Sequence, residues 1–265
     1  MFPGATADRE DAAYVVLGAP LDRSASFLPG ARFGPQRVRR YARGFEDYHQ
    51  AFERSFTDLA VHDHGDVRAW NDAEAYLEHL RGVVVDVADD GSVPLLLGGE
   101  HTVSVAAVRA LDPDAVVVCD AHLDLRESFD GDPYSHATAT RHALDVADEA
   151  VVLGARAGAE AEWERAAEAD VTVVEPDAVA DWEPSFEGSA YLSVDVDAAD
   201  PAVAPGTGTP EPFGLDAATL RTVVRDVAPR AVGFDVVEVT DRDDGQAALL
   251  AAKLLREFAF AHATA

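Results

Sequence analysis

The stretch Ala115-Val116-Val117-Val118-Cys119-Asp120-Ala121-His122-Leu123-Asp124 decides the fold. Its first five residues are apolar and lack polar alternation, the pattern of a strand covered on both faces. The chain then runs without a spacer into two carboxylates and an imidazole. Similar runs recur at Tyr14–Gly18, Asp58–His62, Val93–Leu97, Ala150–Leu153, Val171–Glu175, Tyr191–Val196 and Ala231–Val237. Helical patterns separate them at Pro35–Arg43, Asp72–Asp89, Thr102–Leu111, His136–Val146, Glu160–Ala169, Asp216–Val227 and Gln246–His262. Strands alternating with helices predict an α/β protein: a three-layer α/β/α arrangement around a central, mostly parallel sheet of about eight strands. No repeat, low-complexity tract or Pro/Ser-rich linker divides the chain, so residues 1–265 are expected to form a single domain.

Chemistry in such sheets gathers beyond the carboxyl ends of the strands. Asp120, His122 and Asp124 stand there at a spacing of two, which puts their side chains on one side if the chain stays extended. Tyr191–Asp200 repeats the logic with Asp195 and Asp197, while Asp200, just before Pro201, reads as a turn residue. Leu95–His101 passes through two glycines to His101. A lone histidine there would be structural; beside two other Asp/His strand ends it reads as a ligand. Four carboxylates and two imidazoles cannot converge in a buried place without a cation. Oxygen and nitrogen donors without thiolate suit Mn²⁺ or a similar divalent ion. The charge suffices for two ions, which at about 3.5–4 Å apart would make a bridging water a hydroxide near neutral pH.

Composition narrows the function further. The 265 residues carry 49 Asp+Glu against 21 Lys+Arg, a formal charge of −28, and Lys253 is the one lysine. Such a surface repels phosphate backbones and anionic lipid, which argues against nucleic-acid and membrane partners. With 48% hydrophobic residues the chain still builds a core. Acids dispersed along the whole chain, with lysine nearly absent, suit a salt-rich medium that screens self-repulsion. The single Cys119, an acidic amino-terminal stretch without a signal pattern, and no apolar run near the roughly 18 residues of a membrane span point to the cytoplasm.

The segments G-G-E-H, D-A-H-L-D, Y-S-H-A-T, S-V-D-V-D-A-A-D-P, P-G-T-G-T-P and G-F-D-V-V-E-V, in this order, make the chain resemble the ureohydrolases, the arginase–agmatinase superfamily of binuclear manganese enzymes. The resemblance starts at L-G-A-P and reaches A-A-L-L-A-A-K-L-L, nearly the whole chain. It implies an arginase-like fold, two Mn²⁺ ions per subunit and a homotrimer or hexamer. Asp120 and Asp195 would bridge the metals, His101 and Asp124 would complete one site, and His122 and Asp197 the other. His136 matches the catalytic proton shuttle, and Glu238 the carboxylate that pairs with the substrate guanidinium. A metal-bridging hydroxide would attack the guanidinium carbon, with Asp124 accepting its proton, to give urea and an amine.

The substrate is expected to be a small cationic guanidino compound. Arginine is disfavoured because Leu125 and Arg126 stand where arginine-cleaving relatives resemble one another in an Asn. Agmatine, giving putrescine and urea, fits best, and an acidic loop with Glu127, Asp130 and Asp132 suits its ammonium. Arg126 supports the alternative, a carboxylated substrate as in formimidoylglutamases or guanidinobutyrases. Departures from the family pattern fall at Ser24-Ala25, Pro212–Gly214 and Thr240–Gly245, and bear on the pocket wall. A catalytically silent metal binder would have lost a ligand, and a two-metal phosphoesterase would offer cations for its dianion where Glu238 stands.

Overall fold

A computed structural model describes residues 1–265. Its strands are β1 (Tyr14–Ala19), β2 (Tyr48–His49), β3 (Arg54–Ser55), β4 (Val61–Asp66), β5 (Val93–Gly98), β6 (Ala115–Cys119), β7 (Glu149–Leu153), β8 (Val171–Val174), β9 (Ala190–Asp195) and β10 (Ala231–Val237). The α-helices are α1 (Gly34–Tyr41), α2 (Ala73–Asp89), α3 (Val103–Leu111), α4 (Ala139–Ala143), α5 (Glu160–Ala166), α6 (Ala217–Val227) and α7 (Gln246–His262). Eight strands form one sheet in the order β4-β1-β5-β10-β9-β6-β7-β8, with every pairing parallel.

The period-two geometry of a strand sorts its residues to opposite faces. Val16, Leu95, Leu97, Val117, Leu192 and Phe234 pack with α1, α6 and α7 on one face. Their neighbours Val15, Leu17, Leu96, Val116, Val118 and Tyr191 pack with α2 and α3 on the other. Both faces are therefore dry, which is why the strand sequences show no polar alternation and why three layers result. Helix starts follow local chemistry: Asp72 accepts the Ala75 amide at 3.1 Å and Asp216 the Thr219 amide at 2.7 Å, each an N-cap.

Several boundaries differ from the sequence expectation. Phe56–Leu59 is a 3₁₀ turn started by a Ser55/Asp58 capping box, and Ala60 sits at φ 53, so the strand expected at Asp58–His62 begins at Val61. The helix expected over His136–Val146 splits into a 3₁₀ turn, His136–Thr138, and the short α4. There the Thr138 hydroxyl donates back to the carbonyls of Ser135 and Pro133, at 2.7 and 3.0 Å, which competes with a continuous helix. The helix expected over Glu160–Ala169 stops at Ala166. The β2–β3 hairpin has two residues per strand, too few to leave a periodic signal.

Candidate metal centre

Adjacent strands β5, β10, β9 and β6 run parallel in close register, so their carboxyl ends open on one edge of the sheet. His101 follows β5, Glu238 follows β10, Asp195 ends β9 with Asp197 just after it, and Asp120 follows β6. Four neighbouring strand ends thus deliver four acids and one imidazole from positions spread over more than half of the chain.

The turn after β5 is tight. A Cβ on Gly99 would lie 1.9 Å from the Leu21 carbonyl oxygen, so only glycine allows the two backbones to pass. Glu100 then turns inward, fully buried, and accepts the amides of Arg23 and Ser24 at 2.6 and 2.7 Å. Sequence reading passed over this glutamate. Its signal was a charged residue between two glycines and a ligand histidine. It fixes the loop whose Ser24 and Ser26 hydroxyls lie 3.1 and 3.2 Å from the His136 ring nitrogens.

The ligand atoms of His101, Asp120 and Asp124 lie within 4.8 Å of one another, as do those of Asp120, His122 and Asp197. Asp120 belongs to both groups. His101 Nδ1 is 2.8 Å from Asp124 Oδ2, and His122 Nδ1 is 3.0 Å from Asp197 Oδ2. Asp195 lies further out, with Oδ2 4.0 Å from His101 Nδ1 and Oδ1 accepting the Asp197 amide at 2.8 Å. Convergence of Asp120, His122 and Asp124 does not come from an extended pleat, as the spacing of two suggested. The strand ends at Cys119, and Asp124 sits at φ 51, turning away from His122 toward His101. Glu238 is likewise at φ 60, and two ligating or binding candidates in left-handed backbone mark a site whose surroundings over-determine it.

The donor set fits a divalent cation. Asp120 Oδ2 is buried without an aligned hydrogen bond, although His101 Nδ1 is 3.0 Å away. Burial, then the charge of Asp120, pushes Asp124 up to about 7. Burial followed by Asp197, Asp120 and Glu238 raises Asp195 well above the carboxylate range. Burial would lower His122, but its hydrogen bonds to Asp120 and Asp197 outweigh that and hold it at about 12. Burial would raise Asp120, but the neighbouring His101 and His122 outweigh that and hold it well below the carboxylate range. Asp124 and Asp195 forced toward neutrality beside imidazoles forced toward charge are the electrostatics of a place built around positive charge.

Support comes from behind. His101 Nε2 is 3.1 Å from Ser193 Oγ, and Ser193 donates to Asp235 Oδ1 at 2.6 Å, which also receives the Tyr191 hydroxyl through Oδ2 at 2.7 Å. With its proton given to Asp235, the serine oxygen accepts from Nε2–H, which leaves Nδ1 facing the cluster. Asp200 is a turn residue, accepting the amides of Ala202 and Phe213 at 2.9 and 2.8 Å.

A cleft of about 340 Å³ opens onto the cluster, lined among others by His122, Asp124, Arg126, His136, Glu162 and Glu211. Burial, and beyond it the neighbouring His101 and His122, lowers the His136 pKa. Glu238 lies deeper: Oε1 accepts the His101 amide at 2.9 Å, and burial with Glu100 raises its pKa well above the usual carboxylate range. The acidic loop does not face the cleft. Glu127 is exposed and paired with Arg141 at 3.3 Å, Asp132 pairs with Arg23, and Asp130 is absent from the lining. Arg126 does line it, but Nε is 3.1 Å from the buried Glu162 and the guanidinium lies 5.2 Å over the Phe129 ring.

Comparison with known proteins places this arrangement. Residues 12–261 match the model of the Arginase family. The chain is 34% identical to an agmatinase of Pyrococcus horikoshii, over 94% of this chain and 92% of that one. It is also 34% identical to an N(1)-aminopropylagmatine ureohydrolase of Thermococcus kodakarensis, over 93% and 89%. The crystal structure of agmatine ureohydrolase of Thermoplasma volcanium superposes with a TM-score of 0.93 at 35% identity, covering 99% of this chain and 94% of that one. With its eight-stranded sheet and its six-residue cluster at adjacent strand ends, the chain belongs to the arginase family and is an agmatinase-like ureohydrolase.

Proposed function

We propose that this protein hydrolyses the guanidino group of agmatine to urea and putrescine. The observation that carries the reading is Asp120, shared by two ligand groups beside a cleft whose one guanidinium is paired through Nε with Glu162. Asp120, His101 and Asp124 would hold one Mn²⁺ and Asp120, His122 and Asp197 the other, with Asp195 as a further ligand to the pair. When bound, such a pair supplies Lewis acidity and a water-derived nucleophile at neutral pH. The chain's residues do the rest. Asp124 Oδ2 accepts a proton beside the pair. Glu238, with Oε1 held by the His101 amide, offers Oε2 to the substrate guanidinium. His136, oriented by Ser24 and Ser26, carries the proton to the leaving amine.

Arg126 is the argument for a carboxylated substrate, and its Nε contact with Glu162 weighs against that reading. A second reading, an aminopropyl extension of agmatine, is favoured by the equal identity to the Thermococcus enzyme. We further propose that residues 1–265 form one domain of a cytoplasmic trimer or hexamer, with a formal net charge of −28 suited to high salt.

The test is a panel with Mn²⁺ at high salt: agmatine, N1-aminopropylagmatine, arginine, 4-guanidinobutyrate and formimidoylglutamate, following urea or formamide. Agmatine is expected to give the highest kcat/KM. Equal or greater turnover of a carboxylated substrate overturns the reading.

A further inference from the structure

We infer that Glu211 is the carboxylate that reads the distal cation of the substrate, and that this enzyme selects guanidines carrying a second positive charge. The inference rests on the guanidine-hydrolase reading above and adds the residue that sets its specificity.

Three carboxylates line the cleft, and two are engaged. Asp124 turns to His101 at 2.8 Å. Glu162 accepts the amides of Leu125 and Ala159, at 3.2 and 2.8 Å, and pairs with Arg126. The third, Glu211, has a half-buried side chain with neither a hydrogen bond nor an ion pair of its own. The one guanidinium of the lining, Arg126, is paired through Nε with Glu162 and lies over the Phe129 ring, so its charge is already partly compensated. An ammonium entering this cleft therefore meets one unengaged anion outside the metal cluster.

Glu211 is also held in place. Arg156 Nη2 donates to the Glu211 carbonyl at 2.8 Å, and Nε to the Pro212 carbonyl at 3.0 Å. The same Nη2 donates to the Asp197 carbonyl at 2.8 Å, while the Thr209 hydroxyl donates to Asp197 Oδ2 at 2.9 Å. One guanidinium and one hydroxyl thus tie the loop bearing Glu211 to the turn bearing a metal-ligand candidate. The backbone position of Glu211 relative to that turn is then set by the fold and not by a free loop. Beyond Glu211 a second cleft of about 510 Å³, bordered by Trp163 and Phe213, leaves room for a longer cationic tail.

The experiment compares agmatine with butylguanidine, which keeps the guanidinium and four-carbon chain but lacks the ammonium, in the Mn²⁺-loaded enzyme. Wild type is expected to favour agmatine about tenfold or more in kcat/KM, as for a charge-assisted contact. Glu211→Gln should collapse that ratio, acting on KM more than on kcat, whereas Glu211→Asp should keep part of it. Glu211→Lys should shift preference toward 4-guanidinobutyrate. Melting curves of the variants check that the loop still folds. If E211Q keeps the wild-type ratio, or wild type hydrolyses both guanidines equally, Glu211 does not read the cation and the hydrolase reading stands. If neither guanidine releases urea, the hydrolase reading falls, and the role of Glu211 falls with it.

Discussion

Ser193 shows how a neutral side chain determines what an ionisable one can do. It sits on β9, its oxygen facing His101 Nε2 at 3.1 Å and its proton directed at Asp235. Replacing it with Ala removes the acceptor that fixes the imidazole tautomer, with little loss of volume. Manganese affinity, titrated calorimetrically into metal-stripped Ser193→Ala, is expected to fall roughly tenfold or more while the fold persists. Asp120 is the sharper case, because both ligand groups share it. Asp120→Ala should lose both ions by metal analysis and all measurable urea release; unchanged manganese content would refute its central place. Most of this centre was legible in the sequence, since its residues stand at strand ends. Glu100, Ser193 and Asp235 were not, because their work depends on partners 76, 92 and 42 positions away.

Among the elements, the outer strand β4 needs an anchor, since it pairs on one side only. Arg39 of α1 supplies it, with Nε and Nη2 at 2.9 and 2.8 Å from the Asp63 carboxylate and Nη1 on Asp66. Burial would raise the Asp63 pKa, but the Arg39 hydrogen bonds and charge outweigh it and hold it below the usual range. The sign follows: a depressed folded pKa adds stability that is fully present above the unfolded value, roughly 3.9, and is lost as pH falls through the folded one. Asp63→Asn breaks the bidentate half of this buried pairing, leaving Arg39 only Asp66 as a charged partner, and should cost about 3 kcal/mol at pH 7. Urea midpoints at pH 7 and pH 3, at constant high salt, should show the gap to wild type narrowing at the lower pH. A constant gap would mean that packing, not charge, anchors the strand. Nothing periodic in the sequence announced this pair; its residues lie on elements that meet only after folding.

For the whole molecule the decisive quantity is −28 on 265 residues. Many acids are exposed without a partner, so self-repulsion opposes the compact state unless it is screened. Raising NaCl from 0.1 to 2 M shortens the Debye length from about 10 Å to below 3 Å. The melting temperature is expected to climb steadily over that range. A melting temperature that is flat or falling with salt would show that the acids are locally compensated.

The sequence by itself determined the layers and the chemistry. Apolar strands without alternation require cover on both faces, and acids with histidines at strand ends require a cation. Both demands are local and survive in any register. Tertiary structure decided how the charges are allotted. It set strand order, and so brought residue 101 beside 124 and 122 beside 197. It turned Asp124 out of the pleat, gave Arg126 to Glu162, took Glu127, Asp130 and Asp132 away from the cleft, and left Glu211 facing it unpaired. The physical reason is that a charge acts on what lies within a few ångströms, and only the folded chain fixes which groups those are.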